Sequence, residues 1–391
     1  MSARWQGTND TFPVTEDPMR AIPALFAALA LATAPLAARA DAAVPRVTKD
    51  RVEMVFVLDT TGSMGGLIDG AKRKIWFIAN EVLKAKQRPD LKIGLVAYRD
   101  KGDEYVTKTL PLTSDLDQVY DTLMGYAASG GGDGPEHVNA ALHAAVHEMP
   151  WSEDKDVLKL IFLVGDAPPH MDYGDDVKHA LTSQAAVRRN IYINTLQCGA
   201  DPNTTRVWTE IAHNSEGRFA AIPQDGGVVA VATPYDEELR RLATALDGTE
   251  VAWGARDKRE SKKALLSRAS GYAAAAPAST AAERAMAKAK SGPKASEDLV
   301  SLYAESGAAA LKDLDEEVMP EELKGRSDAE VQAWVKEKQK ERQRIQKEIL
   351  DVEKKRAAYI EDKRKEQPKD AFDAEVVDIV KAQGKTRGIA L

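Results

Sequence analysis

A single cysteine, Cys198, stands in 391 residues. It excludes an intramolecular disulfide and a cysteine-based zinc site. At the end of an apolar run, it is expected to be a small buried hydrophobe. Basic excess is also lacking: the net charge is -7. A general nucleic-acid binder needs a basic face to release counterions from phosphate, so that class is set aside. Long hydrophobic runs are scarce. The most apolar stretch, residues 21–36, is shorter than the roughly 20 residues that a membrane span needs. Aromatic residues thin out in the C-terminal third, which is dense in Lys, Arg and Glu.

That short apolar stretch has Arg20 before it and Ala38-Arg39-Ala40 after it. A charged start, an apolar centre and an A-x-A end predict a secretory signal peptide over residues 1–40, cleaved after Ala40. Asp10, Glu16 and Asp17 are acidic where a signal start is basic, which makes Met19 the alternative start. A plain membrane anchor is the rival reading. Export implies a periplasmic or secreted protein with no integral span after cleavage.

Past this segment, apolar runs alternate with helical patterns. Residues 52–58 (VEMVFVL) form a continuous apolar run ending at Asp59, as do residues 93–98, 157–164 and 191–198. Such runs suit strands buried on both faces of a parallel sheet. Residues 105–112 alternate and suit an antiparallel edge strand. Helical patterns lie at 64–85, 116–126, 135–149, 175–189, 205–213 and 235–246, with a last short strand at 218–222. The expected fold class is α/β: a doubly wound, mainly parallel, Rossmann-like sheet flanked by helices over residues 48–248. Residues 249–320, rich in Ala, Ser, Lys and Gly, are expected to be a low-complexity linker with partial helix. Residues 321–391 are expected to be a charged helical extension. In it, Val331, Val335, Ile345, Ile349 and Val352 form a thin apolar stripe interrupted by Lys338 and Arg342. The stripe falls short of a regular coiled-coil seam but leaves self-association through this helix open.

In doubly wound sheets, ligands bind outside the carboxyl ends of the strands. Three oxygen-rich segments fall there: Asp59-Thr60-Thr61-Gly62-Ser63, the loop Gly130-Gly131-Gly132-Asp133-Gly134-Pro135-Glu136, and Gly165-Asp166. Asp59, Thr61 and Ser63 alternate, so an extended turn points them to one side. A carboxylate and two hydroxyls, with Asp166 added directly or through water, suit a hard divalent cation: Mg²⁺ first, with Mn²⁺ or Ca²⁺ as alternatives. The bland reading of the first segment is a capped helix start. The glycine loop lacks the G-K-[ST] ending of a phosphate-binding loop. His143 and His147 sit four apart on a helix without an H-E-x-x-H motif, and read as an exposed pair. Asp100, Asp103 and Glu104 read as a solvated turn.

These segments carry a resemblance. Asp59-Thr60-Thr61-Gly62-Ser63 resembles the D-x-S-x-S motif of von Willebrand factor A domains, with Thr61 in place of the middle serine. Asp166 is similar to the aspartate after that family's core strand. The branch with a GGGDxPE loop, found in bacterial proteins and some alpha-kinase-linked domains, is the most similar, though no kinase signature is present. The resemblance covers roughly residues 51–246, about half the chain. It implies a metal-ion-dependent adhesion site, in which Asp59 and Ser63 ligate directly and Thr61 and Asp166 directly or through water. A partner's carboxylate would complete the shell. The family's loop threonine is missing. Asp133 is its expected replacement and Glu136 the rival. A third carboxylate would hold the metal more tightly but weaken the pull on an acidic partner.

The expected function is therefore an exported binding module, not an enzyme, that recognises a protein partner through a divalent cation. The alternative is a metal-assisted hydrolase using the same aspartates. That chemistry needs a base beside a metal-bound water, and only His137 and His170 lie in the relevant turns.

Overall fold

All but the first residue of strand β1 (Arg51–Asp59) are buried, as a strand covered on both faces requires. In this computed structural model, which describes residues 50–85, 89–132, 134–222, 231–312, 314–365 and 371–390, β1 lies inside a six-stranded sheet. Its companions are β2 (Asp90–Tyr98), β3 (Thr107–Thr113), β4 (Leu158–Gly165), β5 (Ile191–Cys198) and β6 (Phe219–Ile222), in the order β3-β2-β1-β4-β5-β6. β3 runs antiparallel to β2, and every other pairing is parallel. The expected signal peptide at residues 1–40 lies outside the described residues.

Helices cover both faces. Around Trp76, Phe56 and Phe162, one core layer joins the sheet to α1 (Ile68–Leu83) and α2 (Leu116–Gly125). The opposite layer packs Trp208 and Val57 with α3 (Val138–His143), α4 (His179–Arg188) and α5 (Pro202–Asn214). Several starts follow from local chemistry: Asp115 accepts from the backbone of Asp117 and Gln118 at the head of α2, and Asp201 caps α5 just before Pro202. A short 3-10 turn, Gly62–Gly66, precedes α1, so the helix begins later than the apolar pattern suggested. α3 widens into a π-type turn over Ala144–Glu148. His143 and His147 stack there at 4.7 Å. Cys198 is buried, and burial raises its thiol pKa.

The region after residue 248 departs from expectation. Where a low-complexity linker with partial helix was expected, packed helices run on from the sheet domain. α6 (Asp236–Asp247), α7 (Arg256–Ala275) and α8 (Ala278–Ser291) pack with one another and onto α1 and α2. Ala281, Ala282, Ala285, Ala287 and Ala289 are buried along α8. Small side chains let helices approach closely, so an alanine-rich stretch can bury its face while lacking large apolar residues. α9 (Leu299–Ser306) and α10 (Ala309–Lys312) follow, and then α11 (Asp328–Lys365). Its stripe of Val331, Val335, Ile345, Ile349 and Val352 is buried within this one chain. Arg342, an interruption in the sequence pattern, is buried as well, its guanidinium on Asp298 and on the carbonyl of Thr249. Finally α12 (Ala371–Lys385) returns to the sheet beside α1 and β6, adding Val376, Ile379 and Val380 to the main core. Among the described residues no helix is long and apolar enough to cross a membrane.

Candidate metal centre

The strand order reverses between β1 and β4, whose register sets Leu58 beside Val164, so Asp59 and Gly165-Asp166 leave the sheet side by side. This is the switch point where doubly wound sheets bind ligands. Gly165 is required there. A Cβ on it would lie 2.6 Å from the Tyr98 hydroxyl, 2.7 Å from Asp59 Cβ and 2.9 Å from Asp59 Oδ2.

From Asp59 a continuous chain of hydrogen bonds runs to Asp166. Asp59 Oδ1 accepts from the Thr61 backbone N–H at 2.8 Å and from the Thr61 hydroxyl at 2.6 Å. Thr61 Oγ1 and Ser63 Oγ are 3.1 Å apart, and Ser63 Oγ donates to Asp166 Oδ1 at 2.9 Å. Four of the five residues singled out from the sequence therefore meet in one arc. The fifth, Asp133, lies outside the described residues.

The turn is clamped by its neighbours. Thr60 donates to the Tyr98 carbonyl through its backbone N–H and its hydroxyl, at 3.0 and 2.9 Å. Ser129 N donates to Thr60 O at 3.0 Å, and Gly62 N to Gly130 O at 2.9 Å. The glycine-rich loop thus forms one wall. Gly131 has φ +74°, and a Cβ there would lie 2.9 Å from Glu136 Oε1 and 3.1 Å from Thr61 Cβ. Glu136 and Thr61 both lie against this glycine.

Glu136 is only 3% exposed. Its backbone is bonded to the segment after Asp166: Glu136 N donates to Pro168 O at 2.9 Å, and His170 N donates to Glu136 O at 3.1 Å. Asp59 Oδ2 and Glu136 Oε2, both buried, make no well-formed hydrogen bond, although the Tyr98 hydroxyl lies near Asp59 and the Thr61 side chain near Glu136. Such atoms are costly to leave unpaired. Burial raises the Asp59 carboxyl to about 7, against the pull of its Thr61 hydrogen bonds and with a further push from Asp166. Burial, then the charges of Asp59 and Asp100, raise Glu136 to about 8. Asp166 is raised as well, mainly by burial. Three carboxyls that resist ionisation together, with two buried oxygens in no well-formed hydrogen bond, fit a site for a divalent cation. The fit needs the hydroxyls: among the described residues no three His, Cys, Asp or Glu side chains are grouped to hold an ion by themselves. Asp59, Thr61, Ser63 and Asp166 are the residues that could supply the oxygens.

Asp100 and Asp103 are not the solvated turn their sequence suggested. Asp103 Oδ2 accepts from Gly131 N at 2.9 Å and so holds the glycine loop. Asp100, 6% exposed, accepts from the Tyr173 hydroxyl at 2.9 and 2.8 Å. His170 stacks on Tyr173 at 4.1 Å, with Nδ1 at 2.8 Å from Asp172 and Nε2 at 3.5 Å from Asp100. Nothing in local sequence pattern signals the contacts of Asp100 and Asp103, because they join residues 73 and 28 positions apart.

A family model for the von Willebrand factor A domain matches residues 53–233. The mouse von Willebrand factor A domain-containing protein 7 is 38% identical over 114 residues, which is 29% of this chain and 12% of that protein. An ariadne-like RING finger protein of Acanthamoeba polyphaga mimivirus is 29% identical over 124 residues, 30% of this chain and 11% of that protein. The chain thus spans only about a tenth of the length of these curated relatives. Among solved structures, the VWA domain of SpRpn10 aligns with 44% of this chain and 88% of its own, at 16% identity and a TM-score of 0.35.

Proposed function

From the von Willebrand factor A domain that residues 53–233 carry, we propose that this chain is an exported, non-enzymatic module that holds a divalent cation and meets a protein partner through it. Asp59, Thr61, Ser63 and Asp166 hold the cation, Mg²⁺ first and Mn²⁺ or Ca²⁺ as alternatives. Asp133 remains a sequence-based candidate ligand. When bound, the cation supplies an electrophilic centre for an oxygen of the partner. The observation that carries this reading is the Asp59–Thr61–Ser63–Asp166 arc ending in the buried Asp59 Oδ2, which makes no well-formed hydrogen bond.

Hydrolysis would need a base beside a metal-bound water; of the two histidines in these turns, His170 has its ring nitrogens at Asp172 and Asp100, and His137 has Nδ1 3.8 Å from Asp176. Met171, Val177 and Leu181, in the segment that follows Asp166, are three of the four exposed large apolar side chains among the described residues. Export rests on the signal-peptide pattern of residues 1–40 and places the partner in the periplasm or outside the cell.

Calorimetric titration of Mg²⁺, Mn²⁺ and Ca²⁺ into the wild-type chain and Asp59→Ala tests the centre. Saturable binding by the wild type, lost in the variant, is expected. Equal heats from the two proteins would overturn it.

A further inference from the structure

We infer that Glu136 is the outer carboxylate of this centre, and that its charge shifts the preferred partner contact from an acidic side chain to a neutral oxygen such as a carbonyl or hydroxyl. The inference rests on the metal-binding reading above and adds the chemistry of the partner.

Geometry sets Glu136 apart from an ordinary surface acid. It is 3% exposed, with Oε2 buried and in no well-formed hydrogen bond. Its other oxygen and the Thr61 side chain both lie against Gly131, within 2.9 and 3.1 Å of where a Cβ would stand. Two backbone hydrogen bonds tie it to Pro168 and His170, so it is fixed to the same loop that carries Asp166. Pro135 before it limits the backbone further. A buried acid held this firmly, with an oxygen left unpaired, is costly to ionise unless a cation sits nearby. The described hydrogen bonds give it none.

Among the described residues, no three acidic or histidine side chains are grouped to hold an ion by themselves, which favours a role for Glu136 behind the ligands. Glu136 is not grouped with Asp59 and Asp166 for direct ligation; it acts across Thr61. Carboxylates behind metal-ligating groups orient them and tune the ion. Asp59 and Asp166 alone balance a divalent charge. Glu136 makes the centre net negative, and a partner carboxylate would add a further negative charge in a poorly solvated place. A neutral oxygen carries no such cost.

Calorimetric Mn²⁺ titration of the full chain can separate the two ideas, comparing wild type, Asp59→Ala, Glu136→Gln and Glu136→Thr, with thermal melts to establish folding. Loss of metal affinity by about 10- to 100-fold in Glu136→Gln is expected, the range for groups behind the ligands. Water-proton relaxation of the Mn²⁺-loaded proteins, titrated with acetate, then probes partner chemistry. Acetate should displace metal-bound water from Glu136→Thr and leave the wild type nearly unchanged. Wild-type affinity in both Glu136 variants, with Asp59→Ala still inactive in binding, would overturn the role of Glu136 and leave the metal centre standing. Equal acetate displacement in wild type and Glu136→Thr would overturn the partner preference. No Mn²⁺ binding by the wild type would remove both readings.

Discussion

Ser63 Oγ donates to Asp166 Oδ1 across 2.9 Å, joining residues 103 positions apart. The bond links the turn after β1 to the end of β4 and closes the arc in which the cation is proposed to sit. Each prediction below concerns either that arc or the helices that brace the sheet behind it.

The metal-free protein should lose stability as pH rises. Asp59, at about 7, and Glu136, at about 8, both lie above their ordinary carboxyl values. The folded state therefore holds protons that the unfolded state has released. The stability this contributes is complete below about pH 4 and is lost as pH climbs through about 7 and 8. Saturating Mg²⁺ favours the ionised forms and should flatten the trend. Melting curves in EDTA and in Mg²⁺, at about pH 5.5 and about pH 8.5, measure it. A metal-free midpoint that is higher at the alkaline end would contradict the assignment.

Gly165→Ala should damage metal binding from beneath. The new methyl would press on Asp59 Cβ at 2.7 Å and on the Tyr98 hydroxyl at 2.6 Å. Asp59 Cβ cannot move without shifting strand β1, so the Asp59 carboxylate is displaced. A fall in Mg²⁺ affinity of at least about 10-fold, with about 1–3 kcal/mol of lost stability, is expected. Unchanged affinity in a folded Gly165→Ala protein would show that Asp59 is not held as described.

Arg284→Met should be strongly destabilising. The Arg284 guanidinium is buried between Asp117 on α2 and Asp247 on α6, and Lys288 contacts both carboxylates. Removing one member leaves buried charge uncompensated, at a cost of about 3–5 kcal/mol. Urea titration measures the loss. A cost below about 1 kcal/mol would mean that water reaches this network.

Ile379→Ala tests whether α12 belongs to the domain core. Ile379 is fully buried in the main cluster, and its neighbour Gln383 exchanges two amide hydrogen bonds with Asn194 of β5, at 3.0 and 2.9 Å. A loss of about 2–5 kcal/mol is expected, with a single cooperative transition. If α12 were a peripheral appendage, the midpoint would hold while the helix frayed.

N-terminal sequencing of the native protein should begin at Asp41, following cleavage after Ala40. Recovery of residues 21–36 intact from a cytoplasmic fraction would rule out export.

The sheet was legible in the sequence because its signals are local. Apolar runs at 52–58, 157–164 and 191–198 have no alternation, and that marks a strand covered on both sides wherever its neighbours lie. Strands β4 and β5 sit within a residue or two of those runs. Asp59, Thr61, Ser63 and Asp166 were legible because each ends or follows such a strand, and the switch-point rule brings strand ends together. The region after residue 248 was not. Its helices are built from alanine and paired charges, a composition shared by solvated linkers, and only packing distinguishes the two. Local sequence gives no sign that Arg259, Arg284, Lys288 and Arg342 are buried; the fold supplies carboxylates or carbonyls for their charges. The same holds for Glu136. By itself the sequence made it one of two acids in a glycine-rich loop. Tertiary structure alone set it against Gly131 near Thr61 and buried it beside Asp59, because the hydrogen bonds that fix it come from Pro168 and His170, more than 30 residues farther along the chain.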